Sequence, residues 1–410
     1  MSPKYSLDKR KIKVLLLEGI HKSAADFFAV NGYTNIEIHS GALDDAALKA
    51  SIRNVNIIGI RSRTEVTEEV LSVADKLFAV GCFSIGTNQV DGHAARLRGI
   101  PVFNAPFSNT RSVAEMVIAE CILLMRNIPV KNAAAHRGQW LKSASNSFEV
   151  RSKNIGIIGY GHIGSQVSIL AEAMGMNVFY YDIVKKLSLG KAVACSSLDE
   201  LLSVAHVVTL HVPETPLTRN MIGEKELGMM RKGSCLINAS RGSVVSIPAL
   251  VSALEAEHIA GAALDVFPDE PASSGDPFIS DLRKFDNVIL SPHVGGSTSE
   301  AQENIGTEVA EKLVKYSDTG DTIGATNFVQ ISLQPNKNAQ RFLHIHRNEP
   351  GVLKEVNYVF TSRGINIAAE YLQTDAEVGY VIIDTESQLD SSIIRDLRLI
   401  EGTIRVRMLY

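Results

Sequence analysis

Three residues whose side chains could carry out acid–base chemistry follow separate apolar segments in the second half of the chain. Arg241 follows the run INAS, Glu270 lies in FPDEP and His293 lies in SPHVGG. An imidazole is the side chain best suited to accept a proton near neutral pH, and a neighbouring carboxylate raises its pKa and fixes its tautomer. A guanidinium binds a carboxylate through two parallel hydrogen bonds. Together the three side chains could take the hydroxyl proton of a hydroxy acid while holding its carboxylate.

Each of these residues alone also has an ordinary structural interpretation. A loop arginine is often solvated, a glutamate before proline often lies on the surface, and a single histidine is often structural. Their shared position favours a function, because each follows a predicted strand and open α/β sheets bind ligands at the carboxyl ends of their strands. The three predicted strands are residues 234–238, 261–266 and 288–290.

A glycine-rich turn further upstream predicts a dinucleotide site. The predicted strand 154–158 runs directly into GYGHIG at 159–164, and a helical pattern follows. Gly159 would make the tight turn, Gly161 would let the backbone approach a pyrophosphate, and Gly164 would let the helix pack closely on the strand. The phosphates would lie at the N-terminal end of the helix, where N–H groups and the helix dipole favour negative charge.

The acid that closes the next predicted strand favours NAD over NADP. Asp182 would accept hydrogen bonds from the adenosine ribose hydroxyls and would repel a 2′-phosphate. Glycine pairs often mark an ordinary turn, but here strand, turn, helix, second strand and terminal acid occur in the order that the dinucleotide fingerprint requires. We therefore expect NAD as the cofactor.

The elements that must position these residues form two strand–helix series. The strands predicted in the first are 13–17, 35–39, 57–60, 77–82 and 101–103, and the second runs from 154 to about 292. This alternation predicts an α/β protein with two doubly wound parallel sheets, Rossmann- or flavodoxin-like. Between them we expect a helix from Ser112 to about Asn127, with Glu115 completing a capping box, and then a polar connector at 132–147 that holds Trp140.

The C-terminal segment has a different order of predicted strands and helices. A helix from Thr298 to about Tyr316 leads into a Gly-, Thr- and Asn-rich segment, 320–335, which we interpret as a linker. The strand and helix signals beyond it follow the order βαββαβ, with the second helix at 389–400, which predicts a small ferredoxin-like α+β domain. We expect a substrate-binding domain of residues 1–109 with 297–335, an NAD-binding domain of 110–296, and a regulatory domain of 336–410.

Composition excludes several other classes of protein. Apolar residues make up 45% of the chain and the formal net charge is −4, which indicates a globular protein without overall attraction for nucleic acid. We find neither a secretory signal nor an apolar run long enough for a membrane, so we expect a cytoplasmic protein. The scattered cysteines, Cys82, Cys121, Cys195 and Cys235, lack ligand spacing and predict no metal site.

The motifs together resemble the D-2-hydroxyacid dehydrogenases. The matching segments are GYGHIG at 159–164, INASRGSVV at 237–245, ALDVFPDEP at 263–271 and SPHVGGST at 291–298. The resemblance implies that Arg241 anchors the substrate, that His293 is the acid/base and that Glu270 is its partner. The cofactor contacts that it implies are Gly159, Gly161, His162, Ile163, Gly164, Asp182, Ala239, Ser240, Arg241, Asp265, His293, Gly295 and Gly296. One departure is Ser246, where many relatives have Asp; we expect Ser to cap the following helix equally well.

The substrate is indicated by a basic strand end. The predicted strand 57–60 ends in Arg61-Ser62-Arg63, which could bind a carboxylate or phosphate or be a solvated charge pair. Together with FNAPFSNTRSVAE at 103–115, it resembles the members of this family that oxidise 3-phosphoglycerate. The resemblance implies substrate contacts by Arg61, Ser62, Arg63 and Asn109, with Lys142 and Gln302 as weaker candidates. It also implies that Trp140 packs against a neighbouring subunit of a homotetramer.

Residues 341–410 resemble an ACT domain, a small module that binds amino acids between copies. This resemblance implies that His346, Asn348 and Asn366 hold L-serine between two such tails. The alternative is that the tail only joins subunits.

These resemblances imply NAD-dependent oxidation of 3-phospho-D-glycerate to 3-phosphohydroxypyruvate, the first step of phosphorylated serine synthesis, under inhibition by serine. One alternative is the reduction of glyoxylate, hydroxypyruvate or 2-oxoglutarate by the same residues. Another is a non-enzymatic NAD-sensing protein, which the joint presence of Arg241, Glu270 and His293 disfavours.

Overall fold

Short apolar segments near the N-terminus form a parallel sheet, seen in a computed structural model of the chain. The structure describes residues 8–271, 275–334, 336, 339–386 and 392–409. The chain divides into two compact units, Met1–Ser108 with Gln302–Tyr410, and Asn109–Ala301.

The first unit begins with a five-stranded parallel sheet of order β2-β1-β3-β4-β5, the flavodoxin-like order. Its strands are β1 Val14–Leu16, β2 Ile36–Ile38, β3 Ile57–Ile60, β4 Ala79–Cys82 and β5 Val102–Asn104. Its helices are α1 Lys22–Val30, α2 Asp45–Ile52, α3 Glu68–Ser72 and α4 Gly92–Leu97. Every strand except β2 is buried along its whole length, because helices cover both faces of a parallel sheet.

The second unit contains a seven-stranded parallel sheet of order β12-β11-β10-β9-β6-β7-β8. Its strands are β6 Asn154–Ile158, β7 Asn177–Tyr181, β8 Val193–Ala194, β9 Val207–Leu210, β10 Ser234–Asn238, β11 Ile259–Leu264 and β12 Val288–Leu290. Its helices are α5 Thr110–Met125, α6 Ile128–His136, α7 His162–Ala173, α8 Leu198–Val204, α9 Glu224–Met229 and α10 Ile247–Glu255, with 3-10 turns at Gly242–Val244 and Asp281–Lys284. The order reverses between β6 and β9, and such a switch point is where Rossmann sheets bind dinucleotides.

Helix α11 Ser299–Thr319 leads to the small C-terminal domain, which belongs to the first unit. Its strands are β13 Gln340–Arg347, β14 Ile367–Thr374, β15 Val378–Thr385 and β16 Thr403–Leu409, and its helices are α12 Val352–Thr361 and α13 Ser392–Leu399. The strands form one antiparallel sheet of order β14-β15-β13-β16. The predicted fold class, two parallel-sheet domains plus a ferredoxin-like domain, is confirmed. The predicted start of α13 at Leu389 lies outside the described residues.

Three local predictions are wrong. The capping box does not form: α5 begins two residues earlier, at Thr110, and Glu115 accepts a hydrogen bond from Arg111 Nε at 2.6 Å instead. The region predicted as a connector contains most of α6, which begins after Asn127 in a left-handed conformation (φ 50°) and has a proline in its first turn. Ser246 precedes α10 but makes no side-chain capping hydrogen bond.

The predicted linker also differs from a flexible connection. Thr322, Ala325, Phe328 and Ile331 are buried, and Ile331 N donates to Thr322 Oγ1 at 2.9 Å. The segment therefore packs as part of the first unit, with Pro335 outside the described residues. No helix in the described part of the chain is long and apolar enough to cross a membrane.

Candidate active site

The glycine turn after β6 has the conformation that a phosphate-binding turn requires. Gly159 has a φ of 91°, in the region that glycine favours, and a Cβ there would overlap the carbonyl of His211. A Cβ on Gly164 would overlap the Gly159 carbonyl, so the helix can approach only without a side chain. Among the described residues, Gly161 has no atom beyond its chain neighbours within 4 Å of the position of a Cβ, and the N-terminus of α7 has no side-chain cap. The turn therefore fits a pyrophosphate, and His162 and Ile163 form the first turn of the helix.

Asp182 is fixed at the end of β7 by two backbone donors. Its Oδ2 accepts a hydrogen bond from Tyr160 N at 2.8 Å, and its Oδ1 accepts one from Val184 N at 2.9 Å. An ionised carboxylate has further lone pairs for ribose hydroxyls. The Tyr160 ring stacks on Tyr180 at 3.8 Å between centroids, which packs the glycine turn against β7. The residues of this turn thus fit a dinucleotide cofactor.

His293 and Glu270 form a hydrogen-bonded pair. His293 Nδ1 lies 2.8 Å from Glu270 Oε2, while Glu270 Oε1 accepts a hydrogen bond from Phe267 N at 3.1 Å. The hydrogen bond to Glu270 raises the pKa of His293, although burial opposes it. Burial would raise the pKa of Glu270, but the His293 and Phe267 donors hold that pKa below its usual value. The pair therefore favours an imidazolium next to a carboxylate.

Arg241 is positioned by a polar residue inside a buried strand. Asn238 is fully buried at the end of β10; its Nδ2 donates to the Arg241 carbonyl at 3.0 Å, and its Oδ1 accepts from Ser240 Oγ at 2.8 Å. The Arg241 guanidinium donates from Nη1 to the Ser240 carbonyl at 2.7 Å. Sequence reasoning missed Asn238, although an asparagine in an otherwise apolar strand was the available signal.

Asp265 holds the loop that carries His293. Its Oδ1 accepts hydrogen bonds from Ser291 Oγ at 2.6 Å and Val294 N at 2.8 Å, and its Oδ2 accepts one from Gly295 N at 2.7 Å. Only 3% of Asp265 is exposed. The Ser291 hydroxyl before His293 and two backbone N–H groups after it are therefore tied to one buried carboxylate, which limits where the imidazole can move.

The predicted catalytic residues influence one another's pKa values through their charges. The Arg241 charge lowers the pKa values of both His293 and Glu270, and the Asp265 charge raises the pKa of His293. These three effects are secondary to the hydrogen bond between His293 and Glu270, but they require the four side chains to lie within electrostatic reach of one another. The structure thus brings together residues that are distant in the chain.

The remaining predicted cofactor and substrate contacts are divided between the two units. Ala239 and Ser240 lie between β10 and Arg241, and Gly296 faces Asn109 so closely that a Cβ on Gly296 would overlap its side chain. Lys142 is exposed in the segment after α6, and Trp140 is 86% exposed. These residues belong to the second unit, whereas Gln302 belongs to the first.

Arg61, Ser62 and Arg63 also belong to the first unit, where their backbone is held by a buried acid. The Glu18 carboxylate, 4% exposed, accepts hydrogen bonds from Arg61 N at 3.1 Å and Arg63 N at 2.9 Å. Burial would raise the pKa of Glu18, but these and further donors hold it below its usual value. This loop is therefore rigid at its backbone, while the Ser62 and Arg63 side chains face solvent.

Sequence reasoning also missed His211 and Glu120, two titratable residues of the second unit, of which His211 is half-buried and Glu120 is buried. His211 follows β9 at the switch point, and burial lowers its pKa to about 3. Glu120 lies in α5, and burial raises its pKa to about 8, with a further contribution from Asp265. Neither carboxylate oxygen of Glu120 has a hydrogen-bond partner among the described residues. Both groups are therefore neutral near pH 7.

The predicted effector residues of the small domain differ in their exposure to solvent. His346 is 3% exposed and packs over Gly379, with Nδ1 3.3 Å from Nδ1 of His344. Asn348 is exposed and donates from Nδ2 to the Asp375 carbonyl at 2.6 Å, and Asn366 is exposed before β14. Burial lowers the pKa of His346, so its ring is neutral near pH 7.

Two protein-family models match this chain, one over the region of the glycine turn and one over the C-terminal tail. Residues 118–295 match the model of the D-isomer specific 2-hydroxyacid dehydrogenase NAD binding domain, and residues 342–405 match that of the AHAS small subunit-like ACT domain. The first match confirms the prediction of NAD as the cofactor, and the second confirms the resemblance of the tail to an ACT domain.

Curated relatives match over the whole chain. D-3-phosphoglycerate dehydrogenase of Escherichia coli K12 is 59% identical over 99% of this chain and all of its own length. The enzyme of that name from Haemophilus influenzae is 57% identical over the full length of both chains. Among solved structures, D-lactate dehydrogenase of Aquifex aeolicus, in complex with NAD and lactic acid, is 28% identical with a TM-score of 0.65. It covers 74% of this chain and 95% of its own, and D-2-hydroxyisocaproate dehydrogenase shares the fold at a TM-score of 0.69.

Proposed function

The chain belongs to the D-3-phosphoglycerate dehydrogenase family, and we propose that it oxidises 3-phospho-D-glycerate to 3-phosphohydroxypyruvate in phosphorylated L-serine biosynthesis. The observation that carries this proposal is the His293–Glu270 pair, within electrostatic reach of Arg241 and in the same unit as the dinucleotide turn. Bound NAD supplies the acceptor for the hydride that leaves C2 of the substrate.

His293 is the proposed general base. Because its Nδ1 is committed to Glu270, Nε2 is the nitrogen that accepts the hydroxyl proton of the substrate. The Glu270 carboxylate then stabilises the imidazolium that results. This charge is favoured, since the same contact already raises the pKa of His293.

Arg241 is the proposed carboxylate anchor. One of its Nη1 hydrogens is used by the Ser240 carbonyl, which orients the guanidinium and leaves Nε–H and Nη2–H donors for two carboxylate oxygens. Asn238 fixes the backbone around it, so the cation is held in place before substrate binds. Asp265 fixes the position of the loop that carries His293.

Arg61, Ser62 and Arg63 are the proposed contacts of the substrate phosphate, with Asn109, Lys142 and Gln302 as further substrate contacts. Glu18 supports the first set because it orders their backbone while engaging the Arg63 side chain only at 3.8 Å. The guanidinium groups therefore retain donors for phosphate oxygens.

The test is NADH formation, followed at 340 nm, with 3-phospho-D-glycerate and NAD as substrates. We expect kcat/KM for the phosphorylated hydroxy acid to exceed that for D-glycerate, and Arg61→Ala with Arg63→Ala to abolish this preference. The preferred reduction of glyoxylate, hydroxypyruvate or 2-oxoglutarate, unaffected by these substitutions, would contradict the phosphate assignment.

We also infer that L-serine is an effector bound by the ACT domain through His346, Asn348 and Asn366, and that the enzyme is a homotetramer in the cytoplasm. The ACT match at 342–405 supports an amino-acid effector. The test is a titration with L-serine against L-alanine in the same assay, with sedimentation velocity for the subunit number. Equal responses to both amino acids would contradict the choice of serine.

A further inference from the structure

A cavity of about 500 Å³ lies in the first unit, between the edge strand β16 and the loop that leads into β4. Its lining is strongly basic: the charged residues are Asp75, Lys76, Arg398, Arg405 and Arg407. Among the described residues, four cationic side chains therefore surround one space with a single carboxylate. Arg405 and Arg407 point to the same side because alternate residues of a strand share a face. None of these residues belongs to the proposed catalytic site.

Within the described residues, Lys76, Arg405 and Arg407 donate to uncharged backbone or amide oxygens and form no ion pair with a carboxylate. Lys76 Nζ donates to Asn54 Oδ1 at 2.9 Å, and Arg405 Nη2 donates to the Arg98 carbonyl at 3.3 Å. Burial lowers the pKa of Arg405, and the neighbouring Arg407 guanidinium lowers it further. Like charges that are partly removed from water repel one another, so the cluster gains most from an added anion.

Arg407 is the most constrained member of the cluster. Its guanidinium carbon lies 4.1 Å from the centre of the Phe78 ring and 5.3 Å from that of Tyr316, and Nη2 donates to the Ser317 carbonyl at 2.9 Å. The ring contacts fix the plane of the guanidinium. Its Nη1 is buried and has no hydrogen-bond partner among the residues that the structure describes. A charged N–H buried without an acceptor is costly, so the protein compensates this guanidinium incompletely.

We propose that this cavity is a binding site for a small multivalent anion, a compound with a phosphate group or with several carboxylates. Guanidinium groups match the oxygens of both ligand types, and the volume is typical of a small-molecule pocket. Because Lys76 belongs to the sheet domain while Arg398, Arg405 and Arg407 belong to the small domain, one anion would contact both. Binding would therefore stabilise the small domain against the five-stranded sheet.

The test uses the full-length NAD-bound protein at constant ionic strength. Pyrophosphate, inorganic phosphate and citrate are titrated by calorimetry, and the melting temperature is followed in parallel with chloride as the reference salt. The informative variant is Lys76→Gln with Arg398→Gln, since both side chains are exposed and their loss should not prevent folding. Arg395→Gln is the matched control, because it removes one charge from the exposed surface of the same helix.

We expect saturable binding of a multivalent anion and a rise in melting temperature with the wild-type chain and with Arg395→Gln, and at least tenfold weaker binding by the double variant. Arg241→Gln should retain the binding, which separates this cavity from the catalytic site. Preference for pyrophosphate over citrate would identify a phosphate-bearing ligand, and the reverse a polycarboxylate. No saturable binding, or equal affinity in the wild-type chain and the double variant, would overturn the proposal. The result does not depend on the proposed reaction, which the 340 nm assay tests separately.

Discussion

Two histidine environments in this molecule show that a carboxylate partner and burial shift the pKa of histidine in opposite directions. In the second unit, His293 lies beside a carboxylate, and that hydrogen bond raises its pKa. In the small domain, His344 is fully buried beside His346, and burial lowers the pKa of His344 to about 4. The first environment supports a ring that gains and loses a proton, while the second keeps a neutral ring in the core.

The same contrast appears between two carboxyl groups of the second unit. Glu270 has its oxygens engaged by His293 and by a backbone N–H, which lowers its pKa. Glu120 is buried without a hydrogen-bond partner among the described residues, and its pKa rises to about 8. A titratable side chain therefore supports chemistry here when it has a partner of opposite charge, and is held neutral when no such partner offsets its burial.

The largest expected effect is on turnover. His293→Ala should lower kcat for 3-phospho-D-glycerate by about 10²- to 10⁴-fold, the usual contribution of a general acid–base residue. NAD affinity, measured by fluorescence titration, should stay within about twofold, since the glycine turn and Asp182 are untouched. Turnover within tenfold of the wild type would remove His293 from the mechanism.

The buried carboxyl should affect stability and its pH dependence. Since the folded-state pKa of Glu120 is raised, the folded chain binds the extra proton, and stability is lost as pH rises from about 4.5 to about 8. Glu120→Gln removes this titration. Its stability relative to the wild type should therefore grow across that window by on the order of 5 kcal/mol, the linkage value of the shift.

Urea unfolding at pH 5 and pH 8 measures this difference. Glu115→Gln, on the exposed side of the same helix, is the control and should show little change between the two values. If the relative stability of Glu120→Gln is the same at both pH values, the carboxyl is not held neutral by burial.

The positions of the catalytic residues could be predicted from the sequence, whereas the environment of His344 could not, for a physical reason. His293, Glu270 and Arg241 could be predicted because each lies in a loop that follows a strand of one parallel sheet, and that topology follows from the strand–helix alternation. The environment of His344 depends on the antiparallel register of β13 with β16, which places Thr403 Oγ1 3.0 Å from its Nε2. A register between distant strands leaves no local signal in the sequence.

Local structure was hardest to predict where tertiary contacts overrule capping patterns. Ser112 and Glu115 have the spacing of a capping box, yet Ser112 Oγ lies 2.8 Å from Thr298 Oγ1 and α5 starts before it. The basic cavity is a similar case. The alternation of Arg405 and Arg407 places them on one face, but only the fold brings Lys76 and Phe78 to that face.

The buried histidine should make the small domain sensitive to acid. The folded-state pKa of His344 is lowered, so the unfolded chain binds the extra proton, and stability is lost as pH falls from 6.5 to about 4. The loss should reach on the order of 3 kcal/mol. His344→Gln should flatten this dependence, and His136→Gln, on the surface of α6, should leave it unchanged. Hydrogen exchange of β13 at pH 7 and pH 5 is the measurement; equal protection at both pH values in the wild type would contradict the assignment.

The smallest effect is expected from weakening the catalytic pair without removing it. Glu270→Gln replaces a charge-assisted hydrogen bond by a neutral one, a loss of about 1.5 kcal/mol, so kcat/KM should fall about tenfold. Because Glu270 raises the pKa of His293, the rising limb of the pH profile for oxidation should move to lower pH in the variant. Glu270→Asp, which keeps the charge, should move the limb less than Glu270→Gln does. A limb that stays in place in both variants would mean that the imidazole titrates independently of its partner, and the contrast between pairing and burial would then fail at the site where catalysis depends on it.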